Sequence, residues 1–328
     1  MMTEFAYHAS HEQFKPSVLL KYIQMAERAG FTAGSSSDHF KPWSDRQGES
    51  GFSWAWLGAA MQATSLPCSV VCAPGPRYHP TIVAQAVATL AEMFPNRFSV
   101  ALGSGEAINE RITGDRWPSK PERNARLKES VDIIRALFAG ETVNHSGLFT
   151  VQQAKLYTRP DYSPPIFGAA ITVETAEWVG SWADGLLTTS RPPEELQKVV
   201  EAFHRGGGKG KPMHLKVQLS YAQTREQARQ GAYEQWRTNI FKSSVLAELS
   251  TPEELEAAAQ FVKPEDMDGQ VRISADLEQH IQWLRDDMEL GFNRLILHNV
   301  NLQQEEFIKA FGDRVLPALS GDRVPSFV

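Results

Sequence analysis

The sequence predicts an α/β protein, a (β/α)8 TIM barrel with insertions, on the strength of two observations. First, one unit recurs in which an amphipathic helix ends at Gly or Asn and leads into a short apolar strand closed by small polar residues. Clear copies end their strands at residues 37, 102, 188 and 297. Second, further strand candidates at residues 5–9, 68–73, 165–170 and 214–221 raise the number of β/α units to eight.

The length of 328 residues exceeds the roughly 250 of a plain barrel, so insertions are expected. Short alternating segments around Ser146-Gly147 predict a hairpin at about 143–156, and an interruption of the pattern at about 224–271 predicts two extra helices. No linker rich in Pro, Gly or Ser divides the chain, which predicts one domain over residues 1–328. An open doubly wound sheet is disfavoured because no strand is followed by GxGxxG, of which residues 103–105 are only a partial match.

Composition excludes several classes of partner. The 33 basic and 39 acidic residues give a net charge of −6 without any dense basic run, so neither nucleic acid nor an anionic membrane surface is expected as a partner. No secretion signal and no apolar run of about 20 residues is present, so a cytoplasmic protein is expected. Cys68 and Cys72 lie four apart on one predicted strand, too far for a disulfide.

Candidate chemical groups follow the strands, at the barrel end where active sites form. They include histidines and carboxylates suited to proton transfer, and hydroxyls suited to contacts with an anion. The chain contains no HExxH, no GxSxG and no GxxxxGK[ST], so a metal site, a serine nucleophile and a P-loop are not predicted. A cofactor that supplies the difficult chemistry fits this pattern.

Three segments at these positions carry a family resemblance. They are Tyr-His-Ala-Ser-His-Glu-Gln-Phe at 7–14, Ser-Asp-His-Phe-Lys-Pro-Trp at 37–43 and Gly-Ser-Gly-Glu-Ala-Ile-Asn-Glu at 103–110. They resemble the bacterial luciferase-like flavin and deazaflavin oxidoreductases, nearest to the branch with the deazaflavin-dependent glucose-6-phosphate dehydrogenase and its FMN-using relatives. The resemblance spans residues 5 to 317. It implies a homodimer that docks an isoalloxazine-type ring across the barrel mouth and transfers a hydride without a metal.

Matching positions of the family imply a set of site residues. The resemblance assigns catalysis to His39 and Glu106, cofactor binding to Asp38, Val70, Val71, Ser104, Asn109, Ala170, Thr172, Thr175 and Ser190, and substrate binding to Glu12, Trp43, Arg191 and His298. The two threonines would hold the cofactor phosphate, for which a helix N-terminus is physically suited. The family has a non-prolyl cis peptide in its third strand. The corresponding Val70–Val71 bond lacks the usual small residue, which leaves its isomer open.

Departures from the family pattern bear on the identity of the substrate. The sugar-phosphate enzymes hold the substrate phosphate with a Gly-Lys-Gly after strand six and with a Lys and an Arg in the later insertion. Here those positions are Arg191-Pro192-Pro193, Ala257 and Gln270, so glucose 6-phosphate is not expected, although Arg191 and Arg272 could rebuild part of the clamp.

The sequence is most similar to the branch that uses ordinary flavin. The expected function is therefore hydride transfer between FMN and a small organic substrate, with deazaflavin (coenzyme F420) as the alternative cofactor. A monooxygenase supplied with reduced flavin by a partner, or a flavin-binding protein without turnover, stays open as an alternative.

Structural explanations compete with these assignments. Asp38, Glu106, Thr172 and Thr175 could cap helices. Trp43 could be ordinary core packing, and His298 a hydrogen-bonded histidine at a strand end.

Overall fold

The computed structural model describes residues 3–320, which form one large sheet, one hairpin and the helices around them. The strands in this range are β1 (Glu4–Ala9), β2 (Ala33–Ser37), β3 (Cys68–Cys72), β4 (Phe98–Leu102), β5 (Val143–Ser146), β6 (Thr150–Ala154), β7 (Ile166–Ala169), β8 (Gly185–Thr189), β9 (Met213–Ser220), β10 (Arg272–Ile273) and β11 (Arg294–Asn299). The helices are α1 (Pro16–Arg28), α2 (Ser53–Ala63), α3 (Pro80–Met93), α4 (Ala107–Glu110), α5 (Lys120–Phe138), α6 (Val173–Gly180), α7 (Pro193–Phe203), α8 (Arg225–Trp236), α9 (Ser243–Leu246), α10 (Pro252–Ala258), α11 (Leu277–Glu289), α12 (Gln304–Ala310) and α13 (Leu316–Ser320).

Eight parallel strands close into a barrel, which confirms the predicted fold. Their order is β9-β11-β1-β2-β3-β4-β7-β8, and the pairing of β8 with β9 closes the ring. The two-residue β10 pairs with the end of β9 and stands outside the ring. In the described range, 3–320, no helix has both the length and the apolar character that crossing a membrane requires.

Side-chain alternation along the strands separates the barrel interior from the surrounding core. Phe5, Tyr7 and Ala9 of β1 belong to the large apolar core between the strands and the helices. The intervening Ala6 packs instead with Ala33 and with Ile296 of β11 in a small cluster inside the barrel. Because strand side chains alternate between faces, His8 of β1 also points inward, one layer closer to the carboxyl ends of the strands.

The turns between helices and strands use the residues that the repeat predicts. Gly30 follows α1 with a φ of 95°, and Gly291 follows α11 with a φ of 91°. Asn96, in the turn between α3 and β4, has a φ of 60°. These positive φ values reverse the chain at the helix end, which glycine does without a steric penalty and asparagine at a small one. Cys68 and Cys72 are both free and buried, as their spacing predicts.

Both interruptions of the repeat contain secondary structure. In the first, β5 and β6 pair antiparallel as a two-stranded sheet. The second contains three helices rather than two, because the four-residue α9 separates α8 from α10. Apolar residues of this second segment, Trp236 and Leu255 among them, pack with Trp43 beside the barrel mouth.

Two glycine substitutions test this account of the turns. We expect Gly30→Ala to lower the free energy of unfolding by about 1 kcal/mol, because an alanine at positive φ is strained even where space is free. The matched control is Gly58→Ala inside α2, where the added methyl group meets no atom within 4 Å and alanine is the better helix former, so stability should rise. The midpoint of urea unfolding measures both changes. Equal shifts of the same sign would contradict the assigned conformation of Gly30.

Candidate active site

Three predicted site residues converge at the barrel mouth from different strands. Glu12 follows β1, His39 follows β2, and Glu106 precedes α4 after β4. His39 Nδ1 contacts Glu12 Oε1 directly, and the other oxygen, Glu12 Oε2, accepts a hydrogen bond of 2.8 Å from Ser10 Oγ. With Nδ1 engaged by Glu12, Nε2 is the ring nitrogen that can meet a ligand.

The pair between His39 and Glu12 changes the acidity of both groups. Burial alone would lower the pKa of His39, but the Glu12 carboxylate, with a smaller effect from Glu106, raises it above its ordinary value. For Glu12, burial acts to raise the pKa, and the stronger combined effect of His39 and Lys216 lowers it well below its ordinary value. A buried carboxylate that remains ionised therefore orients and stabilises the imidazolium form of His39.

Glu106 is not a helix cap. It occupies the position before α4, yet its side chain makes no capping hydrogen bond. Burial raises the pKa of Glu106 above its ordinary value, against the smaller opposing effects of the positive charges of His39 and Lys216. Its carboxyl group therefore belongs electrostatically to the cluster around His39.

Lys216, on β9, is a member of this cluster that the sequence analysis missed. Its Nζ lies 3.3 Å from Ser37 Oγ, at the end of β2. Burial lowers its pKa to about 8, against the opposing effect of Glu12 and Glu106. The alternation of polar His214, Lys216 and Gln218 with apolar residues is the signal for this inward-facing lysine, which lies within a strand and not after one.

Asp38 and Asn109, which the resemblance predicts as cofactor contacts, make hydrogen bonds that hold the loop carrying His39. Asp38 Oδ2 lies 3.1 Å from Arg77 Nη2, which also donates to the backbone oxygen of Asp38. Asn109 Oδ1 accepts hydrogen bonds from the backbone N–H groups of Phe40 and Lys41. Arg77 in turn contacts Glu110, and burial raises the pKa of that carboxyl to about 7.

Aromatic side chains form one wall of the site. The ring of Trp43 stands edge-on to His39 at 5.3 Å between centroids, and it packs with Ile108 and Leu255 beside Trp236. Trp236 belongs to the inserted segment, where no motif pointed to it. Trp43 thus packs against apolar side chains and also contacts His39, the candidate proton-transfer group.

His298, which the resemblance predicts as a substrate contact, lies inside the barrel. Its ring lies 4.4 Å from that of His8 and 4.9 Å from that of Trp236. Both nitrogens of His8 and of His298 are buried without a hydrogen-bond partner among the described residues.

The predicted residues on β3 divide between two environments. Val70 is buried in the core between the barrel and the helices, so its side chain is not at the mouth. Val71 is half-buried and, by alternation, points into the barrel. The described backbone contains no cis peptide bond, so Val70 and Val71 are joined in trans.

The remaining predicted residues lie at the ends of β4, β7 and β8. Ser104 Oγ accepts a hydrogen bond of 2.7 Å from Lys120 Nζ, and Ala170 is buried after β7. Ser190 Oγ donates to the side chain of Gln218, and the Arg191 guanidinium donates to oxygens of Thr189 at the end of β8.

Thr172 does cap α6. Its Oγ1 accepts a hydrogen bond of 3.2 Å from the N–H of Thr175 and lies 3.0 Å from Thr175 Oγ1. Thr172 is exposed and Thr175 half-buried, so a ligand can reach both hydroxyls.

Replacing the partner of His39 tests the pair. We expect Glu12→Gln to lower the pKa of the His39 imidazole from above to below its ordinary value, because burial then dominates. An NMR titration of the His39 ring protons measures this pKa. Glu129→Gln is the matched control, since Glu129 similarly contacts His145 at 2.8 Å away from the mouth. A His39 titration that Glu12→Gln leaves unchanged would contradict the assignment.

Comparison with known proteins identifies the family. Residues 1–294 match the model of the luciferase-like monooxygenase family. A protein of Beutenbergia cavernae named F420-dependent glucose-6-phosphate dehydrogenase is 33% identical over 329 residues, which cover 97% of this chain and 98% of the relative. A protein of the same name from Nakamurella multipartita is 34% identical over 327 residues, 96% of each chain.

A solved structure shows the same architecture. It is described as an F420-dependent secondary alcohol dehydrogenase in complex with an F420-acetone adduct, and it matches with a TM-score of 0.89 and 31% identity over 97% of this chain and 99% of its own. The expectation of FMN is therefore wrong, because these relatives are named for F420, the deazaflavin that the sequence analysis held as the alternative. The chain belongs to the luciferase-like monooxygenase family of oxidoreductases.

Proposed function

We propose that this protein is an F420-dependent oxidoreductase that transfers a hydride between the deazaflavin and a small, unphosphorylated alcohol or its carbonyl product. The observation that carries the proposal is the buried pair of His39 and Glu12 at the mouth of a barrel that matches an F420-dependent secondary alcohol dehydrogenase with a TM-score of 0.89. The cofactor is inferred from the names of the relatives. The proton-transfer chemistry is inferred from the side chains of His39 and Glu12.

The residues at the mouth suit a polar ring with a phosphate-bearing tail. Four imidazole nitrogens of His8 and His298, and Asp38 Oδ1, are buried without a partner among the described residues. Such groups cost roughly 1–3 kcal/mol each when nothing pairs with them, which favours a ligand that supplies donors and acceptors. We infer that Val71, Ser104, Ala170 and Ser190 line the cofactor site, and that Thr172 and Thr175 hold its phosphate.

The side chains of the cluster handle the proton that accompanies the hydride. A bound deazaflavin supplies an acceptor or donor of hydride at the substrate carbon. For alcohol oxidation, neutral His39 takes the hydroxyl proton at Nε2, and Glu12 stabilises the resulting imidazolium. Because the pKa of His39 is raised, the rate of oxidation should increase as the pH rises through that pKa. Carbonyl reduction should show the opposite dependence.

The environment of Arg272, one of the two candidate phosphate-binding arginines, supports an unphosphorylated substrate. Arg272 forms two hydrogen bonds, of 2.5 and 2.8 Å, with Asp287, so its charge is already neutralised. Ala257 and Gln270 are exposed and carry no charge. The wall beside His39 consists of Trp43 and its apolar neighbours. A compact alcohol of low polarity suits this surface better than a dianionic sugar phosphate.

We also propose that two copies of the chain pair, as the family resemblance implies. Phe52 and Ile82 are more than half exposed and line an apolar cavity of about 330 Å³ beside α3. Exposed apolar surface of this kind is typical of subunit contacts.

Turnover with purified components tests the proposed function. We expect the protein to reduce F420 with a secondary alcohol such as 2-propanol, observed as loss of F420 absorbance, and not with glucose 6-phosphate. His39→Ala should lower kcat by about 10²–10⁴-fold while F420 still binds, because only the proton acceptor is removed. His145→Ala, at a histidine outside the mouth, is the control that should keep the rate.

Two results would overturn the proposed function. Rapid turnover of glucose 6-phosphate without turnover of unphosphorylated alcohols would contradict the substrate class. Full activity of the His39→Ala variant would remove that residue from the mechanism.

Hydroxyl removal at α6 tests the phosphate site. We expect the double variant Thr172→Val and Thr175→Val to weaken F420 binding by about tenfold or more, because hydrogen bonds to a charged group are lost. Thr224→Val is the matched control, since Thr224 caps α8 with an equal 3.2 Å bond. Fluorescence titration measures both dissociation constants. Equal effects at the two helices would refute the assignment.

A further inference from the structure

Arg77 lies in the loop after β3 and reaches the segments on both sides of that loop. In the sheet β3 stands between β2 and β4, so its loop lies between the one that carries His39 and the one that carries Glu106. The Arg77 side chain is 7% exposed, and the two carboxylates that it contacts, Asp38 and Glu110, are 0% and 2% exposed. A buried guanidinium therefore joins carboxylates from two different parts of the mouth.

Toward β2, the guanidinium holds the backbone of the candidate proton-transfer group. Arg77 Nη2 donates a hydrogen bond of 2.7 Å to the backbone oxygen of Asp38 and lies 3.1 Å from Asp38 Oδ2. That backbone oxygen belongs to the peptide group that joins Asp38 to His39. The hydrogen bond thus restrains the position from which the imidazole reaches Glu12.

Toward β4, Arg77 is tied to the helix that follows Glu106. Glu110 Oε2 accepts a hydrogen bond of 3.2 Å from the backbone N–H of Arg77, and Glu110 Oε1 lies 3.4 Å from Arg77 Nε. Gly105, directly before Glu106, has a φ of 76°, and a Cβ added there would lie 2.9 Å from Glu110 Cγ. The side chain of Glu110 therefore packs against the turn that places Glu106.

We propose that Arg77 is a positioning residue: its guanidinium fixes the backbone of His39 relative to α4 and Glu106, and so maintains the contact between His39 and Glu12. A planar guanidinium donates in several fixed directions at once, whereas an ammonium group is a compact point charge that cannot reproduce this geometry. The link to catalysis rests on the proposed function. The geometric part concerns only side chains of this chain and is testable without cofactor.

The substitution Arg77→Lys separates geometry from charge. Lysine keeps a positive charge between Asp38 and Glu110, so a change in the titration of His39 reports a change of position. The Glu12 carboxylate raises the pKa of His39, and burial lowers it. A looser contact with Glu12 should therefore lower that pKa.

The test is a ¹⁵N NMR titration of the His39 ring in the apoprotein. We expect Arg77→Lys to lower the pKa of His39 by about one unit, the effect of moving an opposite charge away. The matched control is Arg97→Lys at the opposite end of the barrel, where Arg97 Nη2 donates to the backbone oxygens of Met61, Thr64 and Leu66. It should lower the midpoint of thermal unfolding comparably and leave the His39 titration as in the wild type.

The outcomes separate positioning from general stability, and this proposal from the proposed function. If Arg77→Lys leaves the His39 titration unchanged, or if Arg97→Lys shifts it equally, the proposal is overturned. Should Arg77→Lys fail to fold, the double variant Arg77→Gln with Glu110→Gln, which keeps the net charge of the chain, gives the same comparison.

Turnover provides a second readout. Arg77→Lys should lower kcat by about tenfold or more and change KM for the alcohol less, because a small misplacement of a reacting group is costly. Full kcat in this variant would contradict the positioning role. Failure of F420 turnover in the wild type would instead refute the proposed function and leave the NMR result decisive for Arg77.

Discussion

Burial of an ion pair at the open end of the barrel organises the site. His39 and Glu12 lie in a mouth lined by Trp43, where an unpaired charge would be costly, so each depends on the other. The neighbouring polar groups hold this pair in place. Ser10 engages the second oxygen of Glu12, and Asn109 binds the backbone that follows His39. Removal of His39 would leave the buried charge of Glu12 without this partner, and removal of Glu12 would favour the neutral form of His39.

The barrel supports this arrangement because its two surfaces have different compositions. Most outward-facing residues of the strands are apolar and pack against the helices, as Leu215 and Val217 do on β9. Several inward-facing residues near the carboxyl ends are polar, with His8 of β1 and Lys216 of β9 among them. A fold stabilised by its outer core can tolerate unpaired polar groups inside, and such groups are where a ligand gains binding energy.

Much of the fold and part of the site follow from the sequence. The recurring helix–turn–strand unit predicts the barrel because Gly30 and Gly291 mark helix ends where the chain must reverse. Glu12, His39 and Glu106 are brought together because each follows a parallel strand, and parallel strands of a barrel end at the same mouth. These inferences need only local patterns and one rule of topology.

The rest depended on contacts between distant segments. The motif could place Asp38 at the mouth, but its bond to Arg77 depends on how two loops approach each other. Lys216 lies within a strand rather than after one, and Trp236 belongs to a helix without a motif. The cofactor does not follow from the motifs for a related reason, because FMN and F420 carry closely related tricyclic rings and no short motif separates them. Similarity over the whole chain made that distinction.

The central claim is that F420 docks at this mouth against His39. The most direct measurement is a titration of the apoprotein with F420 in which binding and the NMR signal of the His39 imidazole are followed together. The account predicts saturable one-to-one binding that displaces the His39 signal and leaves the signal of His145 unchanged. Absence of binding, or binding that leaves the His39 resonance unaffected, would contradict it.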